Sequence, residues 1–140
     1  MIAESNVTYG DMFTDSHGSK AGYIKVPMRV TKLDVEDILD TAFTGAVDWI
    51  EAIGVNKGVE GIVPFAEIVA KGGEIAFIVE GFLPEHDGNL IEFALDTEIF
   101  LKGMEMYFER YDYIESVSDI DAGIADTILQ LALFQEVIFS

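Results

Sequence analysis

Residues 23–50 read YIKVPMRVTKLDVEDILDTAFTGAVDWI, and two periods meet inside them. From Tyr23 to Thr31 the side chains alternate. Ile24, Val26, Met28 and Val30 fall on one face, and Tyr23, Lys25, Pro27, Arg29 and Thr31 on the other. That is the pattern of a half-buried strand. Pro27 lacks the N–H that a ladder uses, which puts the strand at an edge or a bulge. From Val35 the step changes to three and four. Val35, Ile38, Leu39, Ala42, Phe43, Ala46, Val47 and Ile50 make one apolar stripe, which predicts a long amphipathic helix. Thr31 or Asp34 can cap its start and Gly54 can end it, with Gly45 marking close packing or a kink.

Outward from this stretch, Gly54–Val63 reads as a Gly-rich connection. Pro64–Lys71 reads as a short helix closed by Gly72 and Gly73. Glu74–Glu80 and Leu90–Leu95 read as strands, joined by a loop whose turn chemistry is Asp87-Gly88-Asn89. Asp96 or Thr97 caps a helix running to Tyr111. A loop, Asp112–Ser118, leads to a last helix near Asp119–Leu133, and Gln135–Phe139 reads as a final short strand. The expected architecture is one α+β domain over residues 23–140. A small, mostly antiparallel sheet of about four strands packs against three to four helices, in the order β-α-α-β-β-α-α-β. Residues 1–22 are rich in Ser, Gly, Asp and Thr without a sustained period, and read as a flexible N-terminal arm.

The 140 residues, half of them apolar, suit a single domain with its own core. The absence of cysteine excludes disulfides, thiolate zinc sites and thiol nucleophiles. No apolar run approaches the roughly 18 residues of a membrane span. Met1–Gly10 has no basic start leading into an apolar stretch, so no signal peptide is read and a cytoplasmic protein is expected. There are 26 acidic and 8 basic side chains, a net charge of −18. That balance argues against direct binding of nucleic acid or of an anionic membrane surface.

Catalytic signals are sparse. His17 and His86 are the imidazoles, too few for a zinc site built on several of them. Nothing resembles a nucleophile elbow, and no cofactor is implied. Asp119, Asp121 and Asp126 are the candidate metal ligands, able to offer oxygens to a hard divalent cation. The competing reading is helix capping, with Asp119 near an N-cap and Asp121 in the first turn. A cation-binding protein or enzyme using these carboxylates is the alternative to a non-enzymatic role.

The charge imbalance is the feature above background. The expected long helix carries Asp34, Glu36, Asp37, Asp40, Asp48 and Glu51, with no Lys or Arg between Val35 and Gly54. On such a helix Asp48 and Glu51 would face a dipole end that prefers cations. Glu36/Asp40 and Asp48/Glu51 would each cost about 0.2–0.5 kcal/mol as like-charge neighbours. From Tyr111 to Ser140 there is again no basic residue, while Asp112 and Glu115 add to the negative charge. Asp40, Asp48, Glu51, Asp112 and Glu115 are therefore the candidate partner-binding residues, and the expected partner is a basic protein. A sharper form has the carboxylates imitating nucleic-acid phosphates. Against both stands the reading in which acidity serves solubility alone. Trp49, Tyr111 and Tyr113 are possible interface anchors, with core-edge packing favoured for Trp49. A monomer or small homo-oligomer is expected.

The segment DVEDILDTAFTGAVDW (34–49) resembles a helix signature in a family of small acidic proteins encoded by phages and prophages. KGGEI (71–75), FLKGM (100–104) and DAGIAD (121–126) through Ala132-Leu133-Phe134 continue the likeness in order. It spans Tyr23 to Phe139. Where the family pattern has a second glycine this chain has Ala46, and an aromatic pair is reduced to Trp49. The resemblance carries no assigned activity, so it transfers no catalytic or binding residue. It implies an accessory product of a mobile element, expressed inside a bacterial cell and acting on host machinery such as a nucleic-acid-handling defence enzyme.

Overall fold

The structure, a computed structural model, describes residues 2–9, 21, 24–45, 47–81, 89–111 and 119–139. Strand β2 (Ile24–Thr31) follows the alternation of its sequence: Met28 and Val30 are buried, Pro27 and Arg29 exposed. Its partner is β1 (Ile2–Tyr9), antiparallel in a register running from Ile2 opposite Thr31 to Tyr9 opposite Ile24. Residues 2–9, read in sequence as part of the 1–22 arm, are thus a strand. Their own pattern is weak, and strand character here comes from pairing with β2.

Helix α1 (Lys32–Gly45) begins with a reciprocal cap. The Thr31 N–H donates to Asp34 Oδ2 at 2.9 Å, and the Asp34 N–H donates to Thr31 Oγ1 at 3.1 Å. Each residue satisfies an orphan donor of the other. Val35, Ile38, Leu39 and Ala42 form its buried stripe. The expected helix through to Gly54 is corrected here. α1 stops at Gly45, and residues Ile50–Lys57 form β3. Val47 and Ile50 fit a helical stripe by spacing, but Ile50, Ile53 and Val55 are β-branched and pair with β4; short apolar runs do not separate the two periods.

The short helix α2 (Phe65–Ala70) starts at Pro64 and is closed by Gly72, whose φ of 97° a side chain would resist. Strands β4 (Glu74–Glu80) and β5 (Leu90–Leu95) form the expected hairpin, closed at its base by Gly81 N–H donating to the Asn89 carbonyl at 2.7 Å. The turn at Asp87-Gly88 lies outside the described residues. Helices α3 (Thr97–Arg110) and α4 (Ala122–Phe134) are capped by Asp96 and Asp121, each carboxylate accepting an N–H three residues on at 2.9 Å.

The fold is α+β, but its strands are divided. β3-β4-β5 form one antiparallel sheet and β1-β2 a separate ribbon, in place of one sheet of about four strands. The order is β-β-α-β-α-β-β-α-α. Gln135–Phe139 is not a strand. Gln135 turns left-handed (φ 61°) at the end of α4, and the segment folds back onto that helix. Phe77, Phe100, Leu39, Ile75, Met104 and Ile128 are among the fully buried side chains of the core.

α3 and α4 approach closely at Gly103. A Cβ there would lie 2.6 Å from Ala132 Cβ and 2.6 Å from the Ile128 carbonyl oxygen. Gly103→Ala should destabilise the protein by about 1–3 kcal/mol, although alanine normally favours a helix by about 1 kcal/mol over glycine. Urea unfolding with an unchanged m-value checks this; equal or greater stability would contradict the packing.

Candidate functional site

The candidate acids do not share one helix. Asp40 is exposed on α1, in an outward row with Leu33, Asp37 and Thr44. Asp48 is exposed in the connection after α1, and Glu51 is exposed on β3. The dipole conflict expected for Asp48 and Glu51 therefore disappears, because the helix has ended before them. Asp34, Glu36 and Asp37 sit toward the N-terminus of α1, where negative charge is favoured. Glu36 and Asp40 remain like-charge neighbours on the helix. Asp112, Glu115, Tyr113, His17 and His86 lie outside the described residues. Tyr111 is exposed and stacks on Tyr107, ring centroids 4.9 Å apart.

Two chain stretches without basic residues meet at Trp49. The side chain is 8% exposed. It stacks on Phe139 with centroids 5.4 Å apart and planes within 3°, and meets Phe134 edge-on at 5.3 Å. Its indole Nε1–H donates to Asp126 Oδ1 at 2.7 Å. The second oxygen of Asp126 accepts from Gln130 Nε2 at 3.1 Å. Gln130, fully buried, then clasps the tail. Its Oε1 accepts from the N–H groups of Ile138 and Phe139, both at 2.8 Å, and its Nε2 donates to the Phe139 carbonyl at 2.9 Å. A buried amide with both ends paired is stable where an unpaired one would not be.

Burial raises the pKa of the Asp126 carboxyl above 3.8. The hydrogen bonds from Trp49 and Gln130 oppose the rise, and the negative charge of Asp48 adds to it. Asp48 directly precedes Trp49, whose indole holds Asp126, so the α1–α4 junction brings the two carboxylates into one neighbourhood. Gly45 sits there against Ala122, where a Cβ would come within 2.6 Å of the alanine methyl.

The metal candidates are occupied otherwise. Asp121 caps α4, and both oxygens of Asp126 hold side chains. Asp119 is exposed just ahead of α4. Among the described residues no group of three or more His, Asp or Glu is placed to hold a metal ion. An open cleft of about 510 Å³ lies between α3 and α4, with Met106 and Leu131 on its apolar side and Lys102, Glu105, Glu109 and Gln135 at its polar rim. Those polar groups do not make a nucleophile–base pair. No protein-family model, curated protein or solved structure matches this chain.

By sequence, Asp126 is singled out as a candidate metal ligand and Gln130 is not singled out. A signal was present: Gln130 stands between Leu129 and Leu131, four residues after Asp126, the spacing of a helical side-chain pair.

Two outcomes test the junction. Because folding raises the Asp126 pKa, the native state holds its proton more tightly. Its contribution to stability is full below the ordinary value of 3.8 and falls as pH rises through the raised one. The Tm difference between wild type and Asp126→Asn should therefore shrink, or reverse sign, from acid to neutral pH. A difference independent of pH would contradict the assignment. Gln130→Leu leaves the Ile138 and Phe139 N–H groups without their acceptor and should cost about 1–3 kcal/mol. Since Trp49 is the single tryptophan, its fluorescence should report release of Phe139 in that variant.

Proposed function

We propose that this chain is a non-enzymatic accessory protein of the phage type that docks on a basic surface of a host protein. In its sharpest form it competes with nucleic acid for a nucleic-acid-handling or defence enzyme. The observation that carries the reading is the meeting of the two stretches free of Lys and Arg. Trp49, next to Asp48 in the first stretch, donates its indole N–H to Asp126 of the second at 2.7 Å. Exposed Asp48, Asp119 and Asp121 accompany that junction, and Asp40 extends the negative charge along α1. Asp126 itself is engaged with Trp49 and Gln130 and shapes the site without offering a free carboxylate.

A net charge of −18 would speed encounter with a cationic partner and select against anionic ones. The phage origin and bacterial setting rest on the resemblance of residues 34–49 and the later motifs. Among the described residues no helix is long and apolar enough to cross a membrane.

The tagged protein, incubated with bacterial lysate, should retain a basic protein at low salt and release it steeply as salt rises. Asp40→Asn combined with Asp48→Asn should abolish that retention while Tm stays level or increases, because both side chains are exposed. Recovery of no basic protein at low salt, or retention by the double variant equal to wild type, would refute the proposal.

A further inference from the structure

Strand β3 lies at the edge of its sheet, hydrogen-bonded on one side to β4; among the described residues its other side is unpaired. It is eight residues long, contains no proline, and Val55 on it is 49% exposed. Such an edge is a template for another strand. Irregularities at Glu51 and Asn56 flank it but leave Ala52–Val55 in constant register with β4.

We infer that this edge pairs with the β3 edge of a second copy of the chain, antiparallel, with Gly54 facing Gly54 and Glu51 facing Lys57 at both ends.

The register follows from symmetry and charge. Pairs in an antiparallel ladder alternate between hydrogen-bonded and non-hydrogen-bonded kinds. A two-fold axis must therefore set one residue opposite its own copy. With Gly54 at the axis, Ile53 falls opposite Val55 twice over within the regular segment, and beyond the irregularities Glu51 of each copy comes beside Lys57 of the other. The pairing covers the exposed Val55 with an apolar partner and matches each charge on the strand with its opposite. A Cβ at Gly54 would meet nothing within 4 Å, so the sheet face beside the axis is uncrowded. Lys57 faces Glu74 across β4 and would face Glu51 of the second copy on its other side.

The opposite edge offers no such match. β5 carries Glu92 and no basic residue, so no register of two β5 strands pairs its charge with a cation. Two chains of net charge −18 repel at low salt, so self-pairing strengthens as salt screens them. Docking on a basic protein has the reverse salt dependence, which keeps this inference separate from the proposed function.

Sedimentation velocity at physiological ionic strength should show a wild-type dimer. Glu51→Lys alone and Lys57→Glu alone each replace two attractive pairs by two repulsive ones, and each should weaken self-association about tenfold or more. An equimolar mixture of the two single variants should dimerise, because both junctions become complementary again. The double variant Glu51→Lys/Lys57→Glu, which keeps the wild-type net charge, should dimerise alone. A wild type that stays monomeric at the highest soluble concentration would overturn the inference. So would single variants that dimerise as wild type does, or a mixture that fails to recombine them.

Discussion

The C-terminal half of helix α4 has to be enclosed by the rest of the chain. Residues 128–133 are buried without interruption, so no face of that stretch is left for water. A helix buried all round needs neighbours all round, and the rest of the chain supplies them. α3 comes close because Gly103 has no side chain to hold it off Ala132, and α1 ends against α4 because Gly45 does the same at Ala122. The tail closes what remains, fastened by its backbone to the one polar side chain in the buried run, Gln130. Trp49 fills the corner between α4 and the tail, held by Asp126 and stacked on Phe139.

This enclosure redistributes the meaning of the negative charge. Part of it is structural: Asp34, Asp96 and Asp121 cap helices, and Asp126 orients an indole and an amide. These carboxylates work locally, through hydrogen bonds to N–H groups. The exposed remainder, including Asp40, Asp48 and Glu51, is arranged by three different elements. Acids that sequence reading put on one helix are spread over a helix, a connection and a strand. The junction of Asp48 with Asp126 comes from packing, not from helical spacing.

Most elements were legible from local chemistry. The alternation of β2, the Thr31/Asp34 start of α1, the Pro64 and Gly72 limits of α2, the β4–β5 hairpin and the Asp96 and Asp121 caps all involve residues close in sequence. The errors fall where local pattern is ambiguous. Val47 and Ile50 continue a helical stripe, yet α1 ends at Gly45, which packs against Ala122 where a Cβ would not fit, and Ile50 goes into β3. Ile2–Tyr9 lacks a clear period and becomes a strand through pairing with β2. Gln135–Phe139 is apolar enough for a strand, but its backbone hydrogen bonds are taken by a buried glutamine.

By itself the sequence determined the α+β class, the helix caps, the hairpin, the excess of acid and the lack of thiol chemistry. These depend on residue type and on spacing within a few positions. Only the tertiary structure decided where α1 ends, how the strands divide into a sheet and a ribbon, and that Trp49 reaches across 77 positions to Asp126. Those outcomes depend on which distant surfaces approach closely, and close approach is a property of the packed whole that no local window contains.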